Sequence, residues 1–178
     1  MTDSETRWLT PDEQRAWRSF LTATQTLFTT VDGQLQKESG IPHGYYEILV
    51  RLSETPGRAL RMSQLAEAST SSKSRVSHAV ARLEERGWIE RLDCPTDRRG
   101  QVAQLTERGF AALQAAAPGH VEQVRRSLFE LISPEQVGQL TAISEAIIAG
   151  SDSPVGPAIS CPLECGSEDE DDEVSATA

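Results

Sequence analysis

Two short runs of this sequence carry groups suited to holding phosphates and reading base edges. The first is Ser72-Lys73-Ser74-Arg75-Val76-Ser77-His78, extended to Arg82; the second is Asp97-Arg98-Arg99-Gly100. In the first run Val76, Ala79, Val80 and Leu83 recur at i, i+3, i+4 and i+7, the buried stripe of an amphipathic helix. The opposite face presents Ser74, Arg75, His78 and Arg82, with Lys73 and Ser77 at its margins. Ser72 stands where it can cap the helix, leaving backbone N–H groups and the positive end of the dipole in the first turn. Such an end suits a phosphate and fits a major groove. There Arg75 would give two hydrogen bonds to a guanine, and Ser74 or His78 would read a neighbouring edge. An ordinary solvated helix face uses the same residue types, so the second run carries weight.

Trp88 to Leu92 and Gln101 to Leu105 are strand-like and flank Cys94 to Gly100, so Arg98 and Arg99 sit at the end of a two-stranded ribbon. Arginine on such a projection fits a narrow minor groove, where the negative potential is enhanced. Arg98 is expected to insert, with Arg99 as structural or phosphate-binding partner; Asp97 pairs with one of them and stabilises the wing. A short helix at Leu65-Ala66-Glu67 precedes the reading helix. Helix, turn, helix and charged ribbon, in that order, are the local plan of a winged helix–turn–helix.

These parts need a frame. Thr10-Pro11-Asp12-Glu13 has the cap, the first-position proline and the acid of a capping box. Apolar residues then keep a helical period from Trp17 through Phe20, Leu21, Leu27, Phe28, Val31 and Leu35 to about Ser39. A helix of roughly 28 residues is about 40 Å long, more than one small lobe covers. Gly40-Ile41-Pro42 ends it, His43 to Glu54 forms a second helix, and Ala59-Leu60-Arg61 a minimal strand. Thr106 caps a further helix bearing Phe110, Leu113, Ala117, Val121, Val124, Leu128 and Leu131 as an apolar stripe, which Pro118-Gly119 should kink or split. Ser133-Pro134-Glu135-Gln136 starts a last helix. The expected fold is mainly α with a small β-hairpin wing. A winged helix–turn–helix lobe spans residues 43–105 and a helical dimerisation region residues 10–40 and 106–150. Two unpartnered apolar faces point to a two-fold homodimer, its reading helices about one DNA turn, ~34 Å, apart.

The formal charge of −10 seems hostile to DNA, but 7 of the 27 acids lie between Glu164 and Glu173. From Arg58 to Arg108, 10 Lys and Arg face 7 Asp and Glu, and local charge is what governs phosphate affinity. Residues 151–178, rich in Ser, Pro and then acid, read as a disordered acidic tail. No apolar run approaches a membrane span, and the polar, acidic start does not read as a secretory signal. Three cysteines at irregular spacing make no disulfide framework, which favours the reducing cytoplasm. Cys94, close in sequence to Arg91, Arg98 and Arg99, is the candidate redox group; Cys161 and Cys165 form a C-x₃-C pair with no histidine nearby. No metal site, cofactor motif or catalytic constellation is present, and no enzyme is expected.

The combination of Leu65-Ala66-Glu67, Ser72 to Ser77, Arg82 to Ile89, Asp97 to Gly100 and Leu105-Thr106-Glu107-Arg108-Gly109 resembles the MarR family of bacterial transcription regulators. The resemblance covers residues 10–149. It implies a homodimer with interlocked terminal helices that binds a pseudo-palindromic operator in double-stranded DNA, commonly as a repressor. It also implies release by a small aromatic or phenolic ligand held between dimer base and DNA lobe. Trp17, Phe20, His43, Tyr45 and Tyr46 are the candidates for that ligand, although each also reads as a core aromatic. The alternatives are a winged-helix module that binds protein, its acidic tail engaging a basic partner, and a regulator that senses oxidants through Cys94.

Overall fold

The computed structural model describes residues 6–69, 72–94 and 97–151, with backbone only at residues 94 and 97–99. Helix α1 runs Pro11–Ser39; its capping box is formed, Thr10 Oγ1 accepting from Glu13 N–H at 3.2 Å and Glu13 Oε2 from Thr10 N–H at 2.7 Å. Those bonds hold the Glu13 carboxyl below its ordinary range. Gly40 ends the helix at φ 64°, a left-handed position that glycine takes without strain. Only the second half of α1 meets the body, burying Val31, Gln34 and Leu35.

Helix α2 (His43–Glu54) is the central element, with Tyr46, Ile48, Leu49, Val50 and Leu52 buried. Its first N–H is taken by Asp32 Oδ1 of α1 at 2.7 Å, which fixes the angle between the two helices. After one turn at Pro56–Arg58, strand β1 (Ala59–Arg61) leads into α3 (Met62–Ala68) and α4 (Lys73–Glu85). Arg58 has a positive φ of 53° and is held there by Glu107 at 2.9 Å and by the Phe110 ring, 3.7 Å below its guanidinium. Strands β2 (Ile89–Cys94) and β3 (Asp97–Leu105) complete an antiparallel sheet ordered β1-β3-β2, with Ala59 opposite Gln104 and Ile89 opposite Leu105. Helix α5 (Glu107–Val124), a π-helical turn at Arg125–Phe129 and α6 (Pro134–Ala149) follow.

The core is one cluster that joins α1, α2, α3, α4, the sheet and α5 through Leu35, Leu49, Leu65, Leu83, Ile89 and Leu113. Helix α6 buries none of its residues in this chain. Mostly helical, with a small three-stranded sheet behind a helix–turn–helix, this is the winged-helix plan expected from the sequence.

Four local expectations are corrected. Ser72 is the N-cap residue of α4, yet its hydroxyl makes no capping bond and lies 3.1 Å from Ser74 Oγ instead. The strands extend beyond Leu92 and before Gln101 because backbone pairing continues, bringing Cys94 opposite Asp97. Between that pair and Asp93–Gln101, β2 advances by one residue and β3 by four, so Arg98, Arg99 and Gly100 form a bulge. Pro118 neither splits nor ends α5: burial of Leu113, Ala116 and Ala117 holds the helix together although one backbone bond is lost at the proline. The irregularity falls later, in the π-helical turn. The apolar stripe is also divided, since Leu113 and Ala117 pack inside this chain while Val121 and Leu131 are exposed.

Candidate nucleic-acid interface

Helix α4 separates its two faces as the spacing of its apolar residues requires. Val76, Ala79, Val80 and Leu83 are buried, and Ser72, Lys73, Ser74, Arg75, Ser77, His78 and Arg82 are exposed. Arg82 is shared with Glu85, Nη1 to Oε2 being 2.7 Å, a surface pair that a competing phosphate can replace at little cost. The helix is braced from behind by a residue to which sequence reasoning gave another part. Arg91 of β2, placed beside Cys94 in that reading, sends Nη2 to the Ser77 carbonyl at 3.1 Å and Nε to within 3.3 Å of Glu84 Oε2. The ribbon is thus tied to the middle of α4.

The α4–β2 connection is fixed as firmly. Gly87 turns at φ 70°, Trp88 N–H donates to the Leu83 carbonyl at 3.0 Å, and Thr106 N–H donates to the Trp88 carbonyl at 3.0 Å. Arg86 lies over the Trp88 ring and donates to the Gly40 carbonyl at 3.1 Å. For the wing, the bulged backbone places Arg98 and Arg99 at the far end of the ribbon. The side chains of Asp97, Arg98, Arg99 and Cys94 lie outside the described residues, as do the acidic tail beyond Ser151 and Cys161 and Cys165.

The five effector candidates fall into three places. Trp17 and Phe20 are exposed on the first half of α1, away from the body. His43 and Tyr46 converge with two residues that sequence reasoning missed as ligand-site candidates, Phe28 and His120. The His43 ring meets Phe28 edge-on at 5.5 Å and lies 6.1 Å from His120, while Tyr46 lies 4.5 Å from His120. Tyr45 faces elsewhere, toward α4. Adjacent helical residues differ by about 100°, which is why two neighbouring tyrosines part company. The one available signal for His120 was a histidine beside Pro118-Gly119, where the absent Cβ lets α1 come close: a Cβ on Gly119 would sit 2.6 Å from Glu38 Oε2.

Burial pushes the His120 imidazole below its ordinary value, and the neighbouring His43 adds to the effect. Its Nδ1 has no hydrogen-bond partner among the described residues. In the unfolded chain the ring titrates near its ordinary 6.5, so the unfolded form takes up the proton first as pH falls. Stability present above 6.5 is therefore eroded below it. Unfolding midpoints measured from about pH 7 down to about pH 5 should fall more steeply than in His120→Gln. Parallel profiles would refute this. Among the described residues no group of His, Cys, Asp and Glu is arranged to hold a metal ion, and no helix is long and apolar enough to cross a membrane.

Comparison with known proteins places the fold. The MarR family model matches residues 41–100. Sco3205, a MarR family transcriptional regulator from Streptomyces coelicolor solved in complex with DNA, is 46% identical, with a TM-score of 0.80 over 85% of this chain and 98% of that one. AbsC, a MarR family transcriptional regulator from the same organism, is 43% identical with a TM-score of 0.75, covering 80% of this chain and 95% of that one. The transcriptional repressor MprA of Escherichia coli K12 is 29% identical over 119 residues, 67% of each chain. Given near-complete coverage of Sco3205 at that identity and TM-score, the chain belongs to the MarR family of transcriptional regulators.

Proposed function

We propose that this regulator is a homodimeric, sequence-specific repressor that acts on a pseudo-palindromic operator in double-stranded DNA and is released by a small ligand. Residues 43–105 act as the DNA-binding lobe, residues 10–40 and 106–150 as the dimerisation region, and residues 151–178 as an acidic appendage. One observation carries the reading: Ser74, Arg75, Ser77 and His78 all emerge on the open face of a helix whose other face is locked into the core, next to a ribbon ending in Arg98 and Arg99. In this reading Arg75, with Ser74 or His78, reads base edges, while Ser72, Lys73, Ser77 and Arg82 meet the backbone. Arg98 enters the minor groove, Arg99 supports it, and Asp97 steadies the wing.

Dimerisation is supported by the apolar residues left open, Trp17, Phe20 and Leu21 on α1 and Ile143, Ile147 and Ile148 on α6. Repression is supported by the name of the relative MprA, and DNA binding by the Sco3205 complex. Of the effector set, His43 and Tyr46 are the pair that the fold gathers, with His120, where α1, α2 and α5 meet. Footprinting on DNA upstream of the gene would define the operator. Arg75→Ala should then weaken operator binding by about 1–3 kcal/mol and relax preference at one position in each half-site. Anisotropy titrations against operator and scrambled duplexes measure both effects. Wild-type affinity and specificity in this variant would end the assignment.

A further inference from the structure

Between Glu67 and Glu84 the chain has three cations, Lys73, Arg75 and Arg82, and no acid. All three are exposed on α4. Among the described residues neither Lys73 nor Arg75 has an ion-pair partner, and Arg82 has its surface pair with Glu85. By contrast Arg15, Arg58, Arg91 and Arg126 each meet a carboxylate of the body. The first turn of α4 also lacks a side-chain cap, so the positive end of its dipole is open. Unmatched cations beside an uncapped helix end draw negative charge.

The chain itself contains a matching run. Glu168 to Glu173 are six acids in succession, and residues 151–178 hold 8 acids with no Lys or Arg. That leaves 19 of the 27 acids against 17 bases in residues 1–150, nearly balanced, so the local charge of α4 decides where the run is drawn. Extended, the run presents one carboxylate per ~3.3 Å, against one phosphate per ~3.4 Å along a DNA strand. It therefore offers α4 almost the linear charge of a duplex. Its connection to α6, the 17 residues 151–167, spans up to about 55–60 Å. Helix α1, the longest element with 29 residues, is about 44 Å long, so reach is no obstacle. We propose that the acidic run Glu168 to Glu173 lies on the exposed face of α4, against Lys73, Arg75 and Arg82, and masks that face until DNA displaces it. The exclusion of DNA rests on the reading of α4 as the DNA-reading helix; the contact does not. Tethering is what makes so weak a contact effective. A segment with a Kd of about 0.1 mM, held at an effective concentration of about 1 mM, weakens a competitor about elevenfold.

The chain has two lysines, Lys73 on this face and Lys37 at the end of α1, both exposed. A zero-length carbodiimide joins a carboxylate to a lysine amine it touches, so mass spectrometry of the cross-linked full chain reads the contact directly. At low salt, residues 168–173 should be joined to Lys73 at least about tenfold more than to Lys37, and excess operator duplex should suppress the link. Replacing the run by its amides (Glu168→Gln, Asp169→Asn, Glu170→Gln, Asp171→Asn, Asp172→Asn and Glu173→Gln together) keeps the length of the chain. That variant should bind operator about tenfold more tightly than wild type at ~50 mM salt and within about threefold at ~200 mM. Equal linking to both lysines, or none, would overturn the contact, and so would linking that falls on dilution, which belongs to a neighbouring molecule. Tighter operator binding by the amide variant without the Lys73 link would reduce the run to general repulsion of DNA. Wild-type affinity in the amide variant would overturn the exclusion. An Arg75→Ala chain with undiminished operator affinity would remove the DNA role of this face, and the exclusion with it, while the Lys73 link upholds the contact.

Discussion

Replacing Gly109 with alanine should cost about 3 kcal/mol of folding stability, at the top of the range for overpacking, and lower the unfolding temperature by roughly 10 °C. The added Cβ would sit 2.1 Å from the Trp88 carbonyl oxygen, 2.9 Å from its carbon and 2.8 Å from Leu105 Cδ1. None of these can move cheaply. The Trp88 oxygen accepts Thr106 N–H at 3.0 Å, Leu105 is paired with Ile89, and Thr106 Oγ1 both donates to the Gly87 carbonyl and accepts Gly109 N–H at 3.0 Å. The start of α5 is thus pressed against the α4–β2 turn, and only a residue without a side chain fits the contact. Gly33→Ala is the internal control: no atom lies within 4 Å of its Cβ position and it is exposed in α1, so the exchange should gain up to about 1 kcal/mol of helix propensity. Chemical denaturation of both variants gives the comparison. A loss under about 1 kcal/mol at Gly109 would show that the turn is softer than its bonding implies.

The second large effect is on assembly. Ile143 and Ile147 are 57% and 55% exposed on a helix that buries nothing in its own chain. Ile143→Asp combined with Ile147→Asp should therefore leave the lobe folded, with near-native circular dichroism, while converting dimer to monomer by sedimentation. Charges at such a face meet a desolvation cost in the dimer that the monomer does not bear. Operator affinity should fall by at least about a hundredfold, since the second half-site no longer benefits from the first. A double variant that stays dimeric would move the interface away from α6. One that becomes monomeric yet holds its operator affinity would show that a single lobe carries the binding.

What could be read from the sequence was what local chemistry decides. Thr10 with Glu13, and Ser133 with Gln136, announced helix starts that the structure forms, because a capping box is complete within four residues. The faces of α4 were legible because burial of Val76 and Leu83 follows from spacing alone. Where the reading failed, a competing contact decided the outcome. Ser72 lost its capping role to a contact with Ser74, and Pro118 was tolerated because α1 and α2 both pack against α5. The register jump that bulges Arg98 and Arg99 depends on strand pairing, to which no single residue testifies. The convergence of Phe28, His43, Tyr46 and His120 joins positions up to 92 residues apart, a proximity that only the folded chain supplies. Likewise the tie from Arg91 to Ser77 and Glu84 of α4 has no signature in the sequence, since it depends on how β2 is laid against the helix.

That tie has a mechanical consequence. With Arg91 bonded to the Ser77 carbonyl and 3.3 Å from Glu84, strand β2 and the middle of α4 are held as one unit. In the proposed DNA-reading role such a unit would fit duplexes whose groove-to-groove offset already matches its own, and a half-site that is over- or under-wound should bind more weakly.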